Sequence, residues 1–305
     1  MEKFLILGPI TRDTIINKGF TCQGVGGPIY YQAAVLGGLE QKTTVLVTLA
    51  KEDKDLLEYF PAGVQVLTVW GEKTMHFENL YPDNDPNHRV QRASIPRNSL
   101  KISHFSNINL EDFSAIIASP LSPYDLPFRT MEYLSQFDLP IYLGVQGYLR
   151  HLEGDMVVLK PWNDYKLFLR FIDYLFLDEV EARVLIDKKH LSLEEIAKKI
   201  SLLGPEEVII TLGDRGSILY SGNTNTIYRI PAFPSLQKID PTGLGDTYLA
   251  AYAIKRQESK DTFKCGIFAS IISSMKLEKK GAFRGNQIQL DQRINEYKKL
   301  IEKIK

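Results

Sequence analysis

Short apolar runs recur along the chain, and longer mixed segments separate them. Phe4 to Leu7, Thr44 to Val47, Val64 to Val69, Ala115 to Ala118, Ile141 to Leu143, Tyr174 to Leu177 and Val208 to Leu212 are such runs. Continuous apolar stretches of this length predict strands covered by helices on both faces. The intervening segments predict helices: alanine-rich Tyr31 to Leu39, charged Lys51 to Tyr59, Leu193 to Leu203, and amphipathic Leu290 to Lys305. Ser192 precedes the third, and Glu195 follows three residues later, the spacing of a reciprocal cap. The alternation predicts a three-layer α/β/α sandwich with a mainly parallel central sheet.

Two segments break the alternation. Arg12 to Gly27 mixes threonine, glycine and charge. Thr74 to Ile95 predicts a β-hairpin: Met75 to Leu80, a centre rich in Pro, Asp and Asn, then His88 to Ala93. Neither is long enough for a domain of its own. The expectation is therefore a single domain over 1–305, with a small β-lid inserted at about 12–27 and 74–95. Exposed lid edges, with Phe77 and Leu80, leave room for a lid-mediated homodimer as well as a monomer.

Composition narrows the function. The chain has 305 residues, enough for one large domain or two small ones at about 150 residues each. Lys plus Arg is 37 and Asp plus Glu is 37, which argues against a strongly basic nucleic-acid binder. Cys22 and Cys265 give neither a disulfide framework nor a zinc pair, and the histidines at 76, 88, 104, 151 and 190 lack metal spacing. No apolar run reaches the ~18 residues of a membrane span, and Met1 to Gly8 is too short for a signal peptide. A soluble, cytoplasmic globular protein, without nucleic-acid or membrane partners, is the expectation.

The stretch that carries chemistry is Ile239-Asp240-Pro241-Thr242-Gly243-Leu244-Gly245-Asp246, followed by an alanine-rich run to Tyr252. It describes a glycine turn opening into a helix. The first amides of a helix lack internal partners and carry the positive end of its dipole. Glycines let a phosphate approach them. Asp246 then has two readings: a base that deprotonates a hydroxyl attacking that phosphate, or an ordinary helix N-cap.

Six motifs in order, the turn among them, bear on the choice. Asp13 follows the first strand; Gly26-Gly27 precedes Gln32-Ala33-Ala34; Asp178-Glu179-Val180-Glu181 follows a strand; then come Thr211-Leu212-Gly213-Asp214-Arg215-Gly216, the Asp240–Asp246 turn and Lys280-Gly281-Ala282. Together they resemble the ribokinase-like (PfkB) carbohydrate kinases, whose signature is Asp-Thr-x-Gly-Ala-Gly-Asp. The resemblance implies Asp246 as general base, with the amides of Gly243, Leu244 and Gly245 as anion hole. It implies Glu181 holding water ligands of Mg2+, with Asp178, Thr211, Gly213, Gly216 and Gly281 around ATP. Asp13, Gly26 and Gly27 would meet the acceptor. Asp240 and Thr242 would serve a K+ site.

The sequence also departs from that pattern. Asp178 replaces an asparagine, and Leu244 an alanine. Tyr31 stands where sugar kinases place a substrate asparagine, and Tyr30-Tyr31 is similar to the inositol-kinase-like branch. Gln146 and Arg150, in Val145-Gln146-Gly147-Tyr148-Leu149-Arg150, follow a strand and fall near its carboxyl edge, where open α/β sheets bind ligands. Arg150 is a substrate contact or a solvated loop residue. Gly24 to Gly27 lacks the third glycine of a dinucleotide fingerprint. Lys276, Lys279 and Lys280 form a solvated face near Gly281, and Trp70 and Trp162 are packing residues, with Trp70 the better placed for stacking.

These readings converge on an ATP-dependent phosphotransferase acting on a sugar or cyclitol, with an inositol-like acceptor favoured. The rival within enzymes is a nucleoside kinase, with Tyr30, Tyr31 or Phe77 stacking a base. The rival outside enzymes is a ligand sensor using the same pocket, supported by Asp178 and Leu244 and opposed by Asp246 and Glu181.

Overall fold

The computed structural model describes residues 2–17, 20–81, 90–188 and 190–304. Its larger sheet runs, edge to edge, Thr226–Ile230, Ser217–Ser221, Glu207–Thr211, Tyr174–Asp178, Ile141–Gly144, Ala115–Ala118, Lys3–Pro9, Lys42–Ala50 and Gln65–Gly71. The seven strands from Glu207–Thr211 to Gln65–Gly71 are parallel, and the first two close the sheet antiparallel. Helices on each face bury two separate apolar clusters, one around Ile6, Ile117 and Tyr252, the other around Leu7, Leu143 and Leu175. Successive strand residues point to opposite faces, so a strand buried on both sides feeds both clusters. That is the α/β/α sandwich expected from the apolar runs.

The segments that break the alternation pair with each other in a second sheet. Thr11–Asn17 pairs antiparallel with Phe20–Gly26 and parallel with Met75–Tyr81, which pairs antiparallel with Val90–Ser94. Two strands absent from the sequence reading, Arg150–Glu153 and Met156–Leu159, extend it beyond Val90–Ser94. The centre of the expected hairpin, 82–89, and residues 18 and 19 lie outside the described residues. Arg12 hooks this sheet to the main body through Asp53 at 2.7 Å and Asp55 at 2.8 Å. Phe77 is not the exposed dimer residue expected of it; it is 3% exposed and packs with Met75 and Leu121. Leu80 does face solvent.

Other expectations shift at the margins. Lys51–Tyr59 is a 3₁₀ run that departs from helical angles at Asp53. The C-terminal helix is two, Gln287–Glu296 and Lys298–Ile304. Ser192 and Glu195 cap each other as expected. Trp162 stacks on Tyr148 at 4.1 Å, whereas Trp70 stands 45% exposed on the edge strand.

Candidate active site

The glycine turn opens the helix Leu244–Glu258, and Gly243 is its N-cap at φ 73. Asp246 is therefore in the first helical turn and is not the cap, which removes the ordinary capping reading. The residue is half-buried, and the surrounding protein pushes its carboxyl up to about 6. Burial raises it, and the Arg150 and Lys276 charges partly oppose that. Gly245 beside it presents its α-carbon to open space, the access a phosphoryl group needs.

Tyr31 lies at the middle of the cluster. Its ring faces Gly243, and the charges of Asp13, Asp240 and Asp246 add to burial in keeping its hydroxyl protonated. Asp13, in the second sheet, accepts the Thr11 hydroxyl at 2.7 Å. Strand pairing sets Gly26 opposite Thr11, and a methyl group at Gly26 would lie 2.3 Å from the Asp13 carboxylate. Gly27, at φ 95, caps the helix Pro28–Gly38, with Pro28 in its first turn, where its missing N–H costs nothing. Asp13, the diglycine turn, Tyr31 and Asp246 are thus gathered around one space.

Arg150 is 7% exposed, which overturns the solvated-loop alternative. Its charge acts on both Glu181 and Asp246, and its guanidinium lies 5.2 Å from the centre of the Phe77 ring. It joins the second sheet to the glycine turn. Gln146 is half-buried at the start of the short helix Gln146–Leu149.

Glu181 is buried, and its carboxylate accepts the Asp178 amide at 2.8 Å while Asp178 accepts the Glu181 amide at 2.8 Å. The pair is a full capping box. Burial first, then Asp178, pushes the Glu181 carboxyl well above the usual carboxylate range. Asp178 stands in register with Thr211 on the next strand, and Glu179 pairs with Arg215. Gly213 and Gly216, at φ 62 and 88, shape the turn after that strand. Asp178, Thr211, Gly213 and Gly216 therefore form one neighbourhood, whereas Gly281 lies against the Asp240 loop. Among the described residues no group of three or more His, Cys, Asp or Glu could hold a metal directly. The acidic set of Asp178, Glu181 and Asp246 fits an ion held mainly through water and phosphate.

The K+ expectation at Asp240 and Thr242 does not fit. Lys276 is no part of a solvated face; its side chain has no exposed surface, and its ammonium donates to the Asp240 carbonyl at 2.8 Å and to the Thr242 carbonyl. It also lies 3.7 Å from the Asp240 carboxylate. That carboxylate accepts the Thr242 amide and the Gly281 amide, each at 2.9 Å. Burial would raise Asp240, but the Gly281 amide, Lys276 and Thr242 outweigh it and hold it low. Lys279 and Lys280 are exposed as expected.

Residues 146–288 match the sequence profile described as "pfkB family carbohydrate kinase". The chain is 32% identical to a ribokinase of Arabidopsis thaliana over 36% of its own length and 30% of that protein's. It is 34% identical to a nucleoside kinase of Methanothermobacter thermautotrophicus over 42% of this chain and 41% of the relative. The matched segments thus span well under half of these curated relatives. A solved pyrophosphate-dependent kinase in the ribokinase family, complexed with a pyrophosphate analog and myo-inositol, superposes with a TM-score of 0.79 at 23% identity, over 92% of this chain and 97% of that one. Residues 146–288 therefore carry the pfkB family carbohydrate kinase pattern, in a chain whose fold is that of ribokinase-like structures.

Proposed function

We propose that this protein transfers a phosphoryl group from ATP to a hydroxyl of a small polyhydroxylated molecule, a sugar or a cyclitol, with an inositol-like acceptor favoured. The observation that carries the reading is the Asp246 carboxyl, raised to about 6 in the first turn of a glycine-capped helix and flanked by Arg150 and Lys276. Such a group is charged at neutral pH yet basic enough to take a proton from an attacking hydroxyl. The amides of Gly243, Leu244 and Gly245 offer fixed donors to the charge that grows on the transferring group. Asp13 accepts hydrogen bonds from neighbouring hydroxyls of the acceptor. A magnesium ion near Glu181 supplies charge neutralisation to the donor phosphates when bound. The second sheet acts as the lid, carrying Asp13 and Gly26 and excluding water from the transfer.

A nucleoside acceptor would need an exposed aromatic face. Tyr30 and Phe77 are buried, and Tyr31 turns its ring to Gly243, which supports the polyol reading over base stacking. The structural neighbour that uses pyrophosphate makes the donor a second variable. The test is phosphoryl transfer from ATP and from pyrophosphate to sugars, cyclitols and nucleosides. Transfer to a polyol or cyclitol is the expected result. Transfer confined to nucleosides would reverse the substrate reading, and binding without transfer would favour a sensor.

A further inference from the structure

We infer that Lys276 is a built-in cation of this protein, a positioning residue whose ammonium replaces a monovalent metal ion beneath the anion hole. The inference rests on the phosphotransfer reading above. Lys276 lies in the last turn of the helix Thr262–Leu277, with its side chain fully enclosed. Its ammonium faces two carbonyls, those of Asp240 and Thr242, and one carboxylate. Two carbonyls and a carboxylate are hard oxygen donors of the kind an alkali ion would take. Here an ammonium donates to both carbonyls and forms an ion pair with the carboxylate, and no second cation fits the same oxygens without expelling a buried lysine. Against its flank lies the Tyr31 ring, 5.6 Å from centroid to ammonium.

The position has a consequence for the site. A peptide unit is planar and trans, so its carbonyl and its N–H point in opposite directions. Lys276 fixes the Thr242 carbonyl, and the N–H of the same unit is that of Gly243. Anchoring the carbonyl therefore aims the Gly243 N–H away from the lysine and keeps it from rotating. The Asp240 carboxylate, bonded to the Thr242 and Gly281 amides, fixes the other side of the loop. Lys276 touches no reacting atom in this arrangement. It acts through the backbone that does.

The experiment compares the parent protein, Lys276→Met and Lys276→Ala in KCl and in tetramethylammonium chloride of equal ionic strength. Phosphoryl transfer and thermal melting are both read. The parent should be indifferent to the exchange of cations in both readouts. Lys276→Met should lose about 10²-fold in kcat, the usual worth of one such donor, with the acceptor KM little changed. Lys276→Ala, which opens room for an ion, should regain part of its kcat and of its melting temperature in KCl alone. Stimulation of the parent by K+, or unchanged kcat in Lys276→Met, would overturn the inference. If either variant fails to fold, the parent's cation response still decides. If no acceptor is phosphorylated, the functional reading fails separately, and melting still reports: K+-specific stabilisation of Lys276→Ala but not of the parent supports the built-in cation, and an equal response contradicts it.

Discussion

Gly243 and Tyr31 meet so closely that a methyl group on Gly243 would lie 2.3 Å from the tyrosine ring. The same glycine has φ 73, a left-handed conformation that side chains resist. Gly243→Ala should therefore lower stability by at least about 2 kcal/mol, from backbone strain and overlap together. It should also displace the first amides of the helix and depress kcat. Replacing Tyr31 with Ala in the same protein relieves the overlap but not the strain, so part of the melting temperature should return. A Gly243→Ala protein as stable and active as the parent would show that the turn tolerates displacement.

Asp13 and Gly26 make a second pair of this kind. Asp13→Ala should raise the acceptor KM strongly, since hydroxyls bound there would lose their partner, while the affinity for ATP stays close to the parent's. Gly26→Ala places a methyl group against the Asp13 carboxylate and should mimic it. Steady-state kinetics in each substrate separates the two effects; equal losses for ATP and acceptor would point to misfolding.

The Asp246 carboxyl lies near 6 and must be ionised to accept a proton. Activity should therefore fall as pH drops through about 6, well above the range of an ordinary carboxylate. Arg150 lowers that value, so Arg150→Met should move the acid limb to higher pH. A pH–kcat/KM profile of both proteins measures this, and an acid limb near 4 in the parent would contradict the assignment.

Much of this was legible in the chain. The apolar runs marked the seven parallel strands of the larger sheet, most of them buried on both faces, and not the antiparallel Ser217–Ser221 and Thr226–Ile230. The glycine turn stands out through residue type and position, and Asp13, Gly26 and Glu181 through the family resemblance. Lys276 does not, because it is grouped with Lys279 and Lys280 as surface charge. The signal was there: Cys265, Ala269, Ile272 and Lys276 recur at helical spacing, and all four are buried. Arg150 has two readings in the sequence because the strands Arg150–Glu153 and Met156–Leu159 are not among its apolar runs. Their turn, Gly154-Asp155, has the two-residue length of a hairpin, with Gly154 at φ 64. What enclosed Phe77 and Arg150 was the meeting of the second sheet with the main body, which local pattern does not encode.

Glu181 has a structural use, the capping box, and a proposed one at the metal. Glu181→Gln keeps a side-chain acceptor for the Asp178 amide and should melt close to the parent. It should nonetheless need more magnesium for half-maximal rate, because an amide orders metal-bound water less well than a carboxylate. A magnesium titration matching the parent's would leave Glu181 with the cap alone.

The central claim, that Asp246 is the base of a phosphoryl transfer, is tested most directly by Asp246→Asn. The measurement is kcat on the best acceptor, with donor binding followed by calorimetry on the same preparation. Asparagine keeps the size and the helix turn but cannot take the proton. The account predicts donor affinity near the parent's and a kcat lower by roughly 10²–10⁴. A variant that binds the donor and turns over at the parent's rate would contradict it.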